Sequence, residues 1–187
     1  MPPVTIDATG ALVVGGEKLF PIGLSNPPPA DSKTPAGRNG LEEVAVNGVN
    51  FVRTGIEGWS VEFADGQIAA QKELHRAAAQ HGLKCWLWLG NTPNLPTTAN
   101  SDNERLMTKI VNAFKTDPAL LAYKGIDEPR NPFRGDAWIR PAGLVRAYKK
   151  LKTLDAQHPI VIVQAPRSTV AELTPYRPAF DITGVDI

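Results

Sequence analysis

The sequence alternates between segments typical of buried strands and segments typical of helices, and this alternation constrains the fold more than any other feature. Apolar, β-rich runs recur roughly every 30 to 40 residues, which is the size of a βαβ unit. We predict six such strands, at residues 19–24, 49–54, 83–89, from Leu120 onward, 159–164 and 180–187. Helix patterns lie between them, at residues 41–47, 68–81, 101–114, 141–154 and 169–172. Alternation of this kind favours a parallel sheet with helices outside it.

The connecting segments distinguish two folds that share this alternation. The segments that follow the strands are long, whereas those that precede them are short, such as residues 81–82 and 155–158. A TIM barrel has this asymmetry, with its functional face at the C-terminal ends of the strands. A doubly wound nucleotide-binding fold is the alternative, but it requires a glycine-rich motif after its first strand, where this chain has the sequence SNPPP at residues 25–29. We therefore predict an α/β fold of the (β/α)8 TIM-barrel type.

A β-hairpin is predicted ahead of the barrel. Residues 4–6 and 11–14 are rich in β-forming side chains, and Gly15 and Gly16 provide a turn. The predicted organisation is an N-terminal β-hairpin at residues 1–18 and a partial barrel at residues 19–187.

Composition and charge argue against several classes of partner and cofactor. The net charge is +1 with both signs interspersed, so neither a nucleic acid nor a membrane surface is expected as a partner. The N-terminus lacks the pattern of a signal peptide, and the localisation is left open. Cys85 lies in a predicted strand and is expected to be a buried apolar residue. The three histidines form no ligand pair, so we expect no cofactor and no metal site.

The strand that begins at Leu120 ends in two adjacent carboxylates. Asp127 and Glu128 follow the apolar run, and Pro129 then stops the strand. Carboxylates at the end of a buried strand are costly unless they are paired, solvated or used in chemistry. The alternative is a solvated turn with a helix-capping carboxylate, and the residues alone leave both interpretations open.

The order of these motifs resembles that of clan A glycoside hydrolases. The sequence LVVGGEKLFPIG at residues 12–23 resembles their entry into the first barrel strand, and GVNFVR at 48–53 is similar to their second strand, which ends in arginine. AYKGIDEP at 122–129 resembles the fourth strand, whose tip in that clan is usually Asn-Glu-Pro. Residues 154–159 and 180–186 resemble the run into the fifth strand and the sixth strand. The resemblance covers nearly the whole chain.

The resemblance implies a glycosidase in which Glu128 is the general acid/base. The clan carries its catalytic nucleophile on the seventh strand, so the nucleophile is expected outside this chain, in a barrel truncated after its sixth strand. Asp127 is poorly placed to be the second catalytic carboxyl, because adjacent strand residues point to opposite faces. Asp127 departs from the usual asparagine, so Asp127→Asn is expected to be mild or even to raise activity. The rest of the barrel, with its C-terminal strands, is then a partner of this chain.

Further polar and aromatic residues at strand ends are candidates for contacts with a carbohydrate substrate. Arg53 is expected to orient a carboxylate, or to form a structural ion pair with Asp127 or Asp186. Trp88 is either a sugar-stacking residue or a core residue. The loop residues Trp59 and Trp138 are further stacking candidates, and the alternative for either is that it covers a helix. Four polar residues at the other strand ends would together form a ring suited to a polyol, whereas each of them alone fits a loop or cap residue. The full set of predicted substrate-binding residues is Arg53, Asp127, Asn26, Trp88, Asn91, Gln164 and Asp186.

Three functions remain open at this point. The first is hydrolysis of O-glycosidic bonds in an oligo- or polysaccharide. The second is a non-catalytic carbohydrate-binding or structural barrel, which the missing seventh strand and Asp127 favour. The third is a Mg²⁺-dependent barrel enzyme with Asp127, Glu128 and Asp186 as oxygen ligands.

Overall fold

The chain begins with a small antiparallel sheet. The computed structural model describes residues 4–131 and 138–186. Strands β1 (Val4–Ile6), β2 (Leu12–Val14) and β3 (Glu17–Leu19) pair in chain order. This is the predicted hairpin with a third strand added after the Gly15-Gly16 turn, where both glycines have positive φ.

Six parallel strands follow and form a curled half-barrel, which confirms the predicted incomplete TIM barrel. Each strand pairs with the next one along the chain, so the order in the sheet is the order in the sequence. The strands are β4 (Gly23–Leu24), β5 (Phe51–Gly55), β6 (Lys84–Trp88), β7 (Leu120–Lys124), β8 (Ile160–Gln164) and β9 (Ile182–Val185).

The helices lie between these strands, as predicted. They are α1 (Gly40–Val46), α2 (Ala64–Gln80), α3 (Asp102–Phe114), α4 (Pro141–Leu154) and α5 (Val170–Leu173), and α5 leads into a 3-10 helix at Thr174–Ala179. Side-chain caps fix several helix starts: Ser101 accepts a hydrogen bond from the Glu104 amide, and Thr169 forms a complete capping box with Glu172. None of the helices in the described parts of the chain is long and apolar enough to span a membrane.

Three boundaries differ by more than two residues from the sequence prediction. Strand β7 ends at Lys124, so Asp127 and Glu128 lie in the segment after it and not on the strand. The predicted first barrel strand, residues 19–24, is divided: Leu19 ends β3, and β4 covers only Gly23–Leu24. Pro21 lies between the two and has no N–H to donate to a ladder. Helix α2 begins at Ala64, one turn before the predicted residue 68.

The small antiparallel sheet packs against the N-terminal end of the half-barrel interior. Val4 and Leu12 are buried against Leu121 of β7, with Trp86 and Ile182 packed around them. The larger core lies on the other side of the parallel sheet, between β6, β7 and the helices α2, α3 and α4. The C-terminal ends of the parallel strands are therefore the end that the small sheet leaves uncovered.

Candidate active site

Side-chain alternation on β5 and β6 separates a helix-facing side from an interior side. Val52, Thr54, Cys85 and Leu87 are buried, whereas the alternate residues of both strands are only partly buried. Phe51 and Trp86 lie on the interior side, where their rings stack at 4.3 Å. Arg53 and Trp88 follow them toward the C-terminal strand ends, which places both on the side of the sheet expected for a barrel site.

Cys85, on the helix-facing side, has no accessible surface, and burial raises the pKa of its thiol. It is a buried apolar residue, as the sequence predicted.

Two cations contact the ring of Trp88. The guanidinium carbon of Arg53 lies 4.6 Å from the ring centroid, and Nζ of Lys124 lies 4.9 Å from it. Because β5 and β7 flank β6, these cations reach the indole from the strands on either side. Contacts of this kind are attractive, since the ring face carries partial negative charge. Trp88 is therefore fixed by its neighbours within the site.

Lys124 is a site residue that the sequence reasoning did not identify. It is only 5% exposed, and its Nζ lies 2.5 Å from Oδ1 of Asp127. Burial lowers the pKa of Lys124, and the positive charge of Arg53 lowers it further. The hydrogen bond and negative charge of Asp127, together with the negative charge of Asp186, oppose this shift. The sequence contained a signal for this role, since Lys124 is a single charged residue within the apolar run that begins at Leu120. A buried ammonium requires a counter-charge, which indicates a partner close to the strand.

Glu128 occupies a strained backbone position four residues beyond the end of β7. Its φ is +43°, a left-handed conformation that is uncommon for a residue other than glycine. Its amide donates to the carbonyl of Val163 at 2.9 Å, and its Oε2 accepts from Nδ2 of Asn131 at 2.7 Å. Strain of this kind is found at functional sites, where the surrounding structure maintains it.

Arg53 bonds to Asn26 in place of a carboxylate. Its Nη2 donates to Oδ1 of Asn26 at 3.1 Å, which joins the ends of β4 and β5. Within residues 4–131 and 138–186, Arg53 makes no ion pair with Asp127 or Asp186; Lys124 is the partner of Asp127. The structure thus brings five residues into one connected group: Asn26, Arg53, Trp88, Lys124 and Asp127.

The remaining predicted contacts lie outside this group. Asn91 is exposed in the turn after β6, where its carbonyl accepts from the amide of Asn94 at 3.2 Å. Gln164 is 2% exposed and lies on the same face of β8 as Ile160 and Ile162, which pack toward the helices. Its Oε1 is buried without a hydrogen-bond partner in the described structure. Asp186 is exposed just after β9, and its amide donates to the carbonyl of Gln164 at 3.0 Å.

The two loop aromatics have structural contacts. Trp59 is 8% exposed, lies in the main core with residues of α2 and donates from Nε1 to the carbonyl of Trp88 at 2.9 Å, which agrees with the helix-covering alternative. Trp138 is partly buried, and the guanidinium groups of Arg130 and Arg140 lie 5.0 and 4.2 Å from its ring centroid.

The described part of the chain has no group of three or more His, Cys, Asp or Glu residues placed to hold a metal ion. Asp127, Glu128 and Asp186 all belong to that part. They therefore do not form the Mg²⁺ site that the third hypothesis requires.

Comparisons with known proteins identify the fold. Neither a protein-family model nor a curated protein matches the chain. Among solved structures, it is similar to a beta-mannanase from the blue mussel Mytilus edulis, with a TM-score of 0.66 and 13% identity over 98% of this chain and 74% of that one. An endo-1,4-beta-mannanase from Eisenia fetida gives a TM-score of 0.57 and 16% identity over 88% of this chain and 62% of that one.

A beta-glucuronidase from Parabacteroides merdae is similar over the whole chain, with a TM-score of 0.62 and 12% identity. The match spans only 22% of that enzyme's length. Because sequence identity across the similar solved structures is only 12–17%, the similarity shows the fold of the chain alone. Together with the six parallel strands and the alternating helices, they show that the chain has a clan A glycosidase-like fold.

Proposed function

We propose that this chain belongs to the catalytic barrel of a glycosidase that hydrolyses O-glycosidic bonds of an oligo- or polysaccharide. The observation that carries the proposal is the position of Glu128, at the C-terminal exit of the fourth strand of the half-barrel with a strained backbone. The sequence resemblance assigns the general acid/base to this residue. In this proposal residues 1–18 form a separate N-terminal unit, and residues 19–187 form the first six strands of the barrel.

Glu128 would donate a proton to the leaving oxygen and, in a retaining mechanism, later accept one from water. Asn131 donates to Oε2 of Glu128, and Oε1 accepts no hydrogen bond from the residues that the structure describes, so Oε1 is the oxygen that would carry the transferable proton. A glycosidase needs a second carboxyl about 5 to 5.5 Å away for retention, or about 6.5 to 9.5 Å away for inversion. Asp127 is bonded to Lys124, so the second carboxyl is expected from a strand outside this chain.

Arg53 would orient that second carboxyl. The guanidinium has five N–H donors, and Asn26 receives a hydrogen bond from Nη2 alone. Its cation–π contact with Trp88 holds it on the interior side of the sheet. Asn91 and Asp186, which are exposed beyond β6 and β9, would contact the sugar at the neighbouring strand ends. Gln164 was predicted with them, but it is buried on the same face of β8 as helix-facing residues and is not given a contact in this proposal.

The test is Glu128→Gln in the full-length protein that carries this chain. The amide preserves the shape of the side chain and cannot donate the required proton, so turnover of natural glycosides is expected to fall ~10²–10⁴-fold. Aryl glycosides with good leaving groups should lose less in the first step, because they need the proton least. Steady-state rates on both substrate types measure this difference.

Glu73→Gln is the matched control, because Glu73 is an exposed residue of α2 that pairs with Arg76 on the helix surface. It should leave both rates unchanged. Full turnover of natural glycosides by Glu128→Gln would contradict the assignment. No turnover of either substrate type by the wild-type protein would favour the non-catalytic carbohydrate-binding barrel.

A further inference from the structure

We propose that His75 is a positioning residue for Arg53, because its imidazole fixes the end of β5 through the hydroxyl of Thr54. The inference rests on the proposed glycosidase function, in which Arg53 orients the second carboxyl. It starts from three polar groups that are neighbours on the helix-facing side of the sheet. Oγ1 of Thr54 lies 2.7 Å from Nε2 of His75, and Nδ1 of His75 lies 3.2 Å from Oδ2 of Asp117.

A hydroxyl, an imidazole and a carboxylate in this order also form the catalytic group of many hydrolases, but burial excludes that role here. Thr54 and His75 are both buried, so a substrate cannot reach the hydroxyl. Polar groups at such depth are costly unless they are hydrogen-bonded. The three groups therefore orient one another and the elements that carry them, which are β5, α2 and the segment before β7.

Asp117 determines how the imidazole is used. Its Oδ1 accepts from the Ala119 amide at 2.8 Å, which leaves Oδ2 to face Nδ1 of His75. That contact is electrostatic, since Nδ1 does not meet the geometry of a hydrogen bond. Burial raises the pKa of Asp117, but the contact with His75, together with the Ala119 amide and a nearby lysine, holds it below the ordinary value. The ionised carboxylate favours a proton on Nδ1, which leaves Nε2 to accept from Thr54.

Thr54 transmits this anchoring to Arg53, its neighbour on β5. Successive strand residues point to opposite faces, so a hydroxyl fixed on the helix side also sets the direction of the guanidinium on the interior side. The imidazole is the closer partner of that hydroxyl, because the Trp86 carbonyl lies 3.4 Å away.

A second contact from α2 reinforces the first. Gln71 lies one turn before His75 on the same face of the helix, and its Oε1 accepts from the Gly55 amide at 2.6 Å. Gly55 ends β5 with a φ of +79°, and a Cβ atom there would lie 2.2 Å from the carbonyl of Trp88, so the strand end is closely fitted. Helix α2 thus holds both residues that follow Arg53.

Arg53 needs this support because its own contacts are individually weak. Its Nη2 makes one hydrogen bond of 3.1 Å to Asn26, and its guanidinium carbon lies 4.6 Å from the ring centroid of Trp88. A displacement of about 1 Å in a catalytic arrangement can cost ~10²-fold in rate, so the direction of the strand end matters for the site.

The first measurement follows the Nε–Hε signal of Arg53 by NMR in the full-length protein with isotope-labelled arginine. The ring current of Trp88 shifts this signal, because the guanidinium lies over the indole, and Arg53→Lys identifies it. Thr54→Val keeps the shape of the side chain but removes the hydroxyl, and His75→Leu removes the imidazole. Both should move the signal toward the position of an unshifted arginine, whereas Thr54→Ser keeps a hydroxyl and should keep the wild-type signal.

The second measurement is a double-mutant cycle on kcat/KM. The probe is whichever of 4-nitrophenyl β-D-mannoside and 4-nitrophenyl β-D-glucoside the wild-type protein hydrolyses faster. Thr54→Val should lower kcat/KM ~10-fold, mainly through kcat, because a misplaced Arg53 weakens the transition state more than substrate binding. In the Arg53→Lys background the same substitution should cost less than ~2-fold, since a residue that acts through Arg53 then has nothing to position.

His158→Leu is the matched control. His158 is also buried and contacts a carboxylate, with its Nδ1 2.7 Å from Oδ2 of Asp155, but it lies before β8 at the other end of the sheet. The substitution should lower the free energy of unfolding, as His75→Leu does. The Arg53 signal should stay in place, and any loss of rate should be the same with and without Arg53→Lys.

An Arg53 signal that stays in place in folded Thr54→Val and His75→Leu would overturn the inference, and so would additive losses of rate in the cycle. If His75→Leu does not fold, Thr54→Val decides, because it keeps the volume of the side chain. If Glu128→Gln keeps full turnover, the assignment of Glu128 fails, and the signal and the cycle still decide whether His75 positions Arg53. If the wild-type protein hydrolyses neither probe, the signal alone decides.

Discussion

At position 127, the charge of the side chain matters as much as its shape. The sequence resemblance alone makes Asp127→Asn a return to the usual residue of the clan, with a mild effect. Lys124 changes that expectation, because the amide would remove the counter-charge of a lysine that is only 5% exposed. The effect of the substitution therefore depends on a neighbour that the family motif does not include.

We expect Asp127→Asn to lower the free energy of unfolding by roughly 1–3 kcal/mol. Breaking a fully buried ion pair costs more, about 3–5 kcal/mol, but Asp127 is more than a third exposed and solvent screens part of the loss. Urea denaturation at neutral pH measures the change.

The double variant Lys124→Met with Asp127→Asn should recover most of this stability, since both charges are then absent. Equal and additive losses in the two single variants would contradict a direct coupling between the residues.

At the scale of single elements, a buried hydrogen-bonded group joins β7 to the end of α4. Asp155, the C-cap of α4, accepts at Oδ2 from the Tyr123 hydroxyl at 2.8 Å and lies 2.7 Å from Nδ1 of His158. These partners outweigh the opposing effect of burial and lower the pKa of Asp155 to about 2. The junction therefore depends on an ionised carboxylate.

This lowered pKa predicts a specific acid sensitivity. Because the folded-state pKa lies below the ordinary aspartate value, the contribution of Asp155 to stability is fully present above about pH 4 and is lost as the pH falls through about 2. The difference of nearly two pKa units corresponds to roughly 2 kcal/mol. Asp155→Asn should lower Tm near neutral pH and flatten its decline between about pH 4 and 2.

Asp31→Asn, at an exposed loop position, is the matched control and should follow the wild-type curve. A decline in Tm for Asp155→Asn that is as steep as for the wild-type chain would contradict this account.

The same elements show how far sequence reasoning reaches. Side-chain periodicity and cap residues such as Ser101 were sufficient to predict the six parallel strands and the helices between them. The sequence left Trp59 open between sugar stacking and packing on a helix, because its burial depends on a carbonyl of β6 that only the folded sheet places beside it. Lys124 was overlooked because the pattern of a buried strand contains no information on the residue that neutralises a charge within it.

At the scale of the whole molecule, the described sheet ends in two open edges. Strands β4 and β9 are its outer members, and unpaired edges of this kind favour association between chains. Close to them, a cavity of about 470 Å³ opens between the small sheet and the interior side of the half-barrel, with Phe20, Trp86 and Ile182 in its lining. Phe20 is 80% exposed.

We therefore expect the 187-residue chain, expressed by itself, to self-associate and to bind a hydrophobic dye. Phe20→Ser should reduce both effects and change the free energy of unfolding by less than about 0.5 kcal/mol, because the ring is mostly exposed. Light scattering and dye fluorescence measure the two effects.

Phe63→Ser is the control, since Phe63 is 61% exposed at the start of α2, outside the cavity lining. A monomeric chain with a sharp two-state transition and no dye binding would contradict the expectation.

The agreement between sheet order and chain order has a consequence for the way the protein is synthesised. Every strand from β5 to β9 pairs with the one that precedes it in the sequence, so each βα unit can dock onto a template that has already left the ribosome. Only the small N-terminal sheet has to wait, because Leu121 and Ile182, against which it packs, are translated much later.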